Sequence, residues 1–129
     1  MADKVVIRTD RAPGPFQGAP YNQAIRVGDV VFVAGQLGIS LETGELAGAG
    51  VAEQTEQIMS NLGAILEAAG SGLDNLVKTT VFLMDLADFS GMNDVYARHV
   101  GDRPPARSTV QISGLPSGAL VEIEAIAHV

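Results

Sequence analysis

The 129-residue chain contains no cysteine, which removes disulfides, thiolate nucleophiles, cysteine-ligated zinc and iron–sulfur clusters together. Two histidines, His99 and His128, leave little material for a histidine-based metal site. Tryptophan is absent and aromatic residues make up 5%. Positive charge is scarce: 8 Lys+Arg against 15 Asp+Glu give a net charge of −7. Such a balance counts against nucleic acid as a bulk electrostatic partner, because phosphate binding relies on a basic patch that releases counterions. One local cationic pocket stays compatible with it. No apolar run approaches the roughly 18 residues of a membrane span. The start of the chain carries charge at Asp3, Lys4 and Arg8 and has no long apolar segment, so neither a secretory signal nor a membrane partner is expected, and the expected location is the cytoplasm. A P-loop, a Gly-x-Gly-x-x-Gly fingerprint and a Gly-x-Ser-x-Gly elbow are all missing, and no serine has a histidine at a suggestive spacing.

What is present is a core and its punctuation. Apolar residues make up 47% and charged residues 18%, enough for one compact domain spanning residues 1–129. The 15 glycines and 6 prolines fall between periodic segments. Residues 5–8 read as a short strand, and 11–21, with three prolines and two glycines, as an irregular loop. Residues 24–27 and 30–34 form a hairpin across Gly28-Asp29. Between 51 and 69 the period becomes helical: Val51, Thr55, Ile58, Leu62, Ile65, Leu66 and Ala69 make the apolar stripe, while Gln54 and Asn61 fall outside it. Residues 77–84 are β-branched and aromatic, hence a strand. A second helix follows Asp85 or Asp88, with Phe89, Met92 and Val95 as core, and ends at Gly101. Residues 108–112 and 120–129 are the last two strands, joined by a glycine/proline turn. The order β, ββ, α, β, α, ββ predicts an α+β fold with two helices on one face of a single sheet.

Two helices leave the other face of such a sheet bare. In the last strand Val121, Ile123, Ala125, Ala127 and Val129 point one way, whereas Leu120, Glu122, Glu124, Ile126 and His128 point the other. In the strand before it, Val110 and Ile112 are expected under the helices and Arg107, Thr109 and Gln111 on the bare face. A face holding Leu120 and Ile126 beside Arg107 and Glu122 suits a subunit interface with a wet pocket, so a homo-oligomer is predicted.

The candidates for chemistry are few. Arg107 follows Pro104-Pro105-Ala106, which stiffens the backbone leading into its strand, and a guanidinium grips a carboxylate bidentately. The alternative is a structural ion pair with Glu122 or Glu124. Those two glutamates flank Ile123 in an apolar strand, and a half-buried one could move protons to and from water; an interface ion pair is the other reading. Tyr21 is a phenolic donor, a pocket wall or simply a packed loop residue. Gly35 before Gln36 permits a backbone N–H to approach a ligand, or marks a strand end. Asn93 is a pocket group or a surface residue, and His99 a packed or surface histidine. These residues suggest a cofactor-free pocket for a small carboxylate, worked on by acid/base chemistry with water.

The same residues carry a resemblance. The runs Ala19-Pro20-Tyr21-Asn22-Gln23-Ala24-Ile25, Val31-Phe32-Val33-Ala34-Gly35-Gln36, Lys78-Thr79-Thr80-Val81-Phe82 and Asp88-Phe89 resemble the RidA (YjgF) family of reactive-intermediate deaminases. Pro105-Ala106-Arg107-Ser108 and Glu122-Ile123-Glu124-Ala125-Ile126-Ala127 are the most specific blocks, and the match runs in order from about residue 14 to 129. The resemblance implies a chorismate-mutase-like α+β fold assembled as a homotrimer, with active sites between subunits and no metal or cofactor. It implies hydrolysis of 2-iminobutanoate and 2-iminopropanoate, tautomers of 2-aminoacrylate-type enamines, to 2-oxo acids and ammonia. It places the carboxylate clamp on Arg107, the water-activating carboxylate on Glu122, and substrate contacts on Tyr21, Gly35 and Asn93. Two positions of that pocket depart from the family's pattern: Ala34 stands where a serine is frequent and Thr109 where a cysteine is. The rivals are a deaminase for another imine, a ligand-binding module without turnover, and an endoribonuclease or translation inhibitor, the last disfavoured by the net charge of −7.

Overall fold

A computed structural model describes residues 3–129. Six strands and two helices alternate along the chain: β1 (Lys4–Ile7), β2 (Ala24–Val27), β3 (Val30–Leu37), α1 (Val51–Ala68), β4 (Leu76–Leu83), α2 (Phe89–Val100), β5 (Ala106–Gln111) and β6 (Val121–His128). One mixed sheet is built in the order β1-β2-β3-β6-β4-β5, antiparallel throughout except for the parallel pair β4/β5, which α2 connects. This is the expected α+β architecture. No helix among the described residues is long and apolar enough to cross a membrane.

α1 forms where the helical stripe lies. Ile58, Leu62, Ile65 and Leu66 are fully buried, each worth about 1.5–3 kcal/mol relative to exposure. Its start is held by the Glu53 carboxylate, which accepts the Gly50 N–H at 3.0 Å. It stops at Gly70, whose φ of 81° is left-handed. There the Ser71 N–H reaches the Leu66 carbonyl and the Gly70 N–H reaches that of Glu67, a paired closure that only a residue tolerant of positive φ allows cheaply. Arg26 adds positive charge at that end by donating to the Ala69 carbonyl at 3.2 Å.

Gln54 and Asn61, outside the apolar stripe by sequence, are buried. Burial of an amide needs partners, and both have them. Gln54 donates to the Gly48 carbonyl and accepts the Leu120 N–H, while Asn61 donates to the Ile39 carbonyl at 3.0 Å. The two amides therefore fasten the loops leading out of β3 and into β6 onto the helix.

Along β6 the expected alternation holds: Val121, Ile123, Ala125 and Ala127 are buried beneath the helices, and Glu122, Glu124, Ile126 and His128 look away from them. For β5 the expected facing is reversed. Arg107, Thr109 and Gln111 lie opposite Thr79, Val81 and Leu83 of β4, whose side chains are buried under the helices. It is Ser108 and Val110 that face outward on the bare side. The phase is dictated by parallel pairing with β4, because β4 lies between β5 and β6 and no hairpin joins the last two strands. Phe89, expected in the core, is 43% exposed at the first turn of α2, beyond the reach of the sheet's centre.

Candidate active site

The site residues fall into two groups on opposite faces of the sheet. The first gathers around Glu122. Between Val33 and Gln36 the register of β3 against β6 slips, so that Ala34 and Gly35 together oppose one β6 residue. Such a bulge bends the strand and re-aims its side chains. Gly35 then lies so close to Glu122 that a Cβ there would sit 2.8 Å from the carboxyl carbon and 2.9 Å from Oε1. Only glycine leaves that carboxylate where it is. Gly35, Glu122 and Tyr21 line a cavity of about 90 Å³ whose apolar walls include Phe16, Leu37 and Pro116. Tyr21 accepts the Phe16 N–H on its phenolic oxygen at 2.6 Å, which leaves its own O–H free to donate. Ala34 is not a wall of this cavity; its N–H goes to the Gln23 carbonyl and its carbonyl accepts from Gln36 Nε2.

Burial raises the pKa of Glu122 above the usual carboxylate value, and the negative charge of Glu124 raises it further. A carboxyl in this condition is a better proton acceptor than a solvated one. Gly35→Ala is expected to displace it and to lower any reaction that depends on that carboxylate by about 100-fold, the scale of an ångström-sized misplacement. The check pairs activity with circular dichroism, and an unaltered spectrum must accompany the loss.

The second group gathers around Arg107 on the helix-bearing face. The Arg107 guanidinium carbon lies 4.9 Å from the Tyr96 ring centroid and 5.4 Å from that of Phe89. Thr109 follows two residues on along the same face of β5. Asn93 stands one turn after Phe89 and three residues before Tyr96 on α2, and its Oδ1 is buried with no hydrogen-bond partner. Arg107 forms no ion pair among the described residues, so the structural pairing with Glu122 or Glu124 considered from the sequence is not made within the chain. His99 contacts the Glu56 carboxylate across the two helices, a packed histidine. No cluster of three or more metal-ligating side chains occurs among the described residues.

Sequence reasoning missed two contributors. One is Tyr96, whose seven-residue spacing from Phe89 puts both rings on one face of α2. Gln23 is buried and donates to the carbonyls of Ala12 and Pro13 while accepting the Thr9 N–H, which moors the loop carrying Phe16 and Tyr21. Nothing in local sequence marks that amide.

Fold and site define a class of protein: a small α+β subunit with one mixed sheet, a carboxylate cavity on its bare face and an arginine on its helix-bearing face. The sequence profile of the Endoribonuclease L-PSP family matches residues 11–129. A RutC family protein of Pyrococcus abyssi is 50% identical over 125 residues, covering 97% of each chain. The human 2-iminobutanoate/2-iminopropanoate deaminase is 43% identical over 122 residues, 95% of this chain and 88% of that one. The crystal structure of Escherichia coli TdcF with bound serine superposes with a TM-score of 0.90 at 40% identity, covering 97% of this chain and 98% of the other. The chain belongs to the RidA (YjgF) family, the Endoribonuclease L-PSP family of that profile.

Proposed function

We infer that the protein hydrolyses small 2-imino acids, 2-iminobutanoate and 2-iminopropanoate, to 2-oxo acids and ammonia. The observation that carries this reading is the half-buried Glu122 carboxyl pressed against Gly35 in a small, apolar-walled cavity. The name of the human relative points to the same substrates, and the serine bound to the Escherichia coli relative is a small amino-acid carboxylate.

Glu122 and Arg107 face opposite ways, so one subunit holds each half of a site. The reading therefore includes a homotrimer in which Arg107 of one copy meets Glu122 of another. The bare sheet face favours this, with Val6, Phe32 and Val110 each more than 40% exposed. In the assembled cleft Arg107 holds the substrate carboxylate, with Asn93 and Thr109 beside it, and Tyr21 donates its hydroxyl hydrogen. Glu122 takes a proton from water as the water oxygen bonds to the C=N carbon. That proton passes to the imine nitrogen, giving a carbinolamine. The second water proton then moves to nitrogen as the C–N bond breaks, leaving ammonia and the 2-oxo acid. The residues supply everything this sequence of steps needs, without metal or cofactor.

The test couples a threonine dehydratase to the protein and follows 2-oxobutanoate. Formation faster than the dehydratase alone allows is expected; an unchanged rate removes the reading. Light scattering that gives a monomer removes the shared site. RNA cleavage, which the family's description would suggest, has little support in a chain of net charge −7.

Glu122 serves as a base only when ionised. Within its own subunit burial and Glu124 raise the Glu122 pKa, the Arg107 of the neighbouring copy opposes that rise, and the resulting pKa sets the acid limb of the pH profile for kcat/KM. Glu124→Gln removes the second cause of that rise, so the limb is expected to move to lower pH. A limb that stays in place would mean that another group governs it.

A further inference from the structure

Arg107 sits in an unusual setting for a half-buried cation. No carboxylate is paired with it among the described residues, and two aromatic rings lie within cation–π range. Of those rings, Phe89 is largely exposed, but Tyr96 is buried and tethered. Its hydroxyl lies 2.6 Å from Thr79 Oγ1, and both groups are enclosed. Thr79 is in turn the β4 residue directly opposite Arg107 on β5. The three residues close a triangle: Thr79 and Arg107 stand side by side on adjacent strands, and Tyr96 reaches down from α2, its hydroxyl on one and its ring against the other.

We propose that Thr79 and Tyr96 are positioning residues for Arg107, the buried hydroxyl pair fixing a ring on which the guanidinium rests with its N–H donors free for an anionic ligand. The proposal rests on the reading of Arg107 as the carboxylate clamp. A ring contacts the face of a guanidinium, whereas carboxylates are bound through the N–H groups in its plane. An aromatic support can therefore hold the side chain in one place without occupying its donors, as an ion-pair partner would. The ring needs a fixed position of its own, and a phenylalanine would have none of the hydrogen bonding that ties Tyr96 to the sheet. Burial raises the pKa of the Tyr96 phenol above its ordinary value, while the Thr79 hydrogen bond and the positive charge of Arg107 pull it back down. Tyr96 and Arg107 thus sense each other electrostatically as well as by contact.

The experiment uses the full chain and the stable carboxylate 2-oxobutanoate as probe. Calorimetry gives its Kd for the parent, Thr79→Val, Thr79→Ser, Tyr96→Phe and Tyr96→Leu, and for Tyr96→Leu in an Arg107→Ala background. In parallel, nitrogen-15 NMR follows the Arg107 Nε–H resonance, which ring currents displace while it lies over Tyr96. Loss of the ring in Tyr96→Leu is expected to weaken binding by about 10- to 30-fold, the range of a partly desolvated cation–π contact. Loss of the tether in Thr79→Val or Tyr96→Phe is expected to weaken it by about 3-fold, about the effect of one ordinary hydrogen bond. Thr79→Ser, which keeps the hydroxyl, should restore the parent value, and Tyr96→Leu should add nothing once Arg107 is gone. The Nε–H resonance should move in Tyr96→Leu. An equal loss in both backgrounds, or a resonance that does not move, overturns the proposal by making Tyr96 merely structural. If Arg107→Ala binds the probe as tightly as the parent, the clamp reading itself fails. That failure is distinct, because the resonance reports the stacking whatever Arg107 binds.

Discussion

Arg107→Ala is expected to lower kcat/KM for 2-iminobutanoate by about 100- to 1,000-fold, with circular dichroism and melting temperature close to the parent's. The size follows from removing one partner of a charge-assisted, bidentate carboxylate contact, a loss of about 3–4 kcal/mol, at 1.4 kcal/mol for each tenfold. Stability should fall only slightly, because Arg107 makes no ion pair among the described residues, lies on the edge strand β5 and loses only its contacts with the Tyr96 and Phe89 rings. Arg107→Lys keeps the charge but loses the planar fork, so it should recover only part of the activity. Full recovery with lysine would show that charge alone matters, and an undiminished rate in the alanine variant would remove Arg107 from the site.

Glu122→Gln is expected to reduce kcat by about 100- to 10,000-fold, the usual contribution of a positioned general base, and, in an Arg107→Ala background, to make the protein more stable at neutral pH. The second effect follows from the direction of the Glu122 pKa. Within its own subunit folding buries this carboxyl near Glu124, and both raise its pKa above the unfolded value. The stability comparison is made with Arg107→Ala as the parent background, where no guanidinium of a neighbouring copy opposes that rise. The ionised form of Glu122 there weakens folding, and stability drops as pH rises through the folded-state pKa. Glutamine carries no charge to bury. In that background the melting temperature with Glu122→Gln should exceed the one without it at pH 7, and the gap should close as pH falls below the unfolded pKa, where both side chains are neutral. A Glu122→Gln change that abolishes activity and also lowers stability in that background at pH 7 would mean that Glu122 is a structural group.

The legible parts of the fold are those in which local pattern and tertiary context agree. β6 alternates strictly, so the direction of Glu122 could be read from it, as could the Gly28-Asp29 hairpin and the Gly70 stop of α1. β5 shows where this ends. Val110 and Ile112 are apolar, and apolarity alone assigns them to the core. Yet β5 is an edge strand whose phase comes from β4 across a helical crossover, and its inward positions are taken by Arg107 and Thr109. Sequence periodicity has no access to a register set by another strand. Gln54, Asn61 and Gln23 were hidden for a related reason: an amide reads as surface until the loop carbonyls and N–H groups it satisfies are known. Of the site, Glu122, Gly35 and Tyr21 line one cavity, although they come from three separate segments whose proximity no local pattern shows. The Tyr96 support of Arg107 depends on the docking angle of α2 and was not legible.

The placement of Glu122 and Arg107 on opposite faces of one sheet has a genetic consequence. In a trimer with shared clefts, a damaged arginine disables the site on one side of its subunit and a damaged glutamate the site on the other. Two defective alleles, Arg107→Ala and Glu122→Gln, should then complement each other when co-expressed. With random assembly about a quarter of clefts would pair an intact arginine with an intact glutamate, restoring about that share of parental activity. Each allele alone stays null. A site built within one subunit would show no rescue at all.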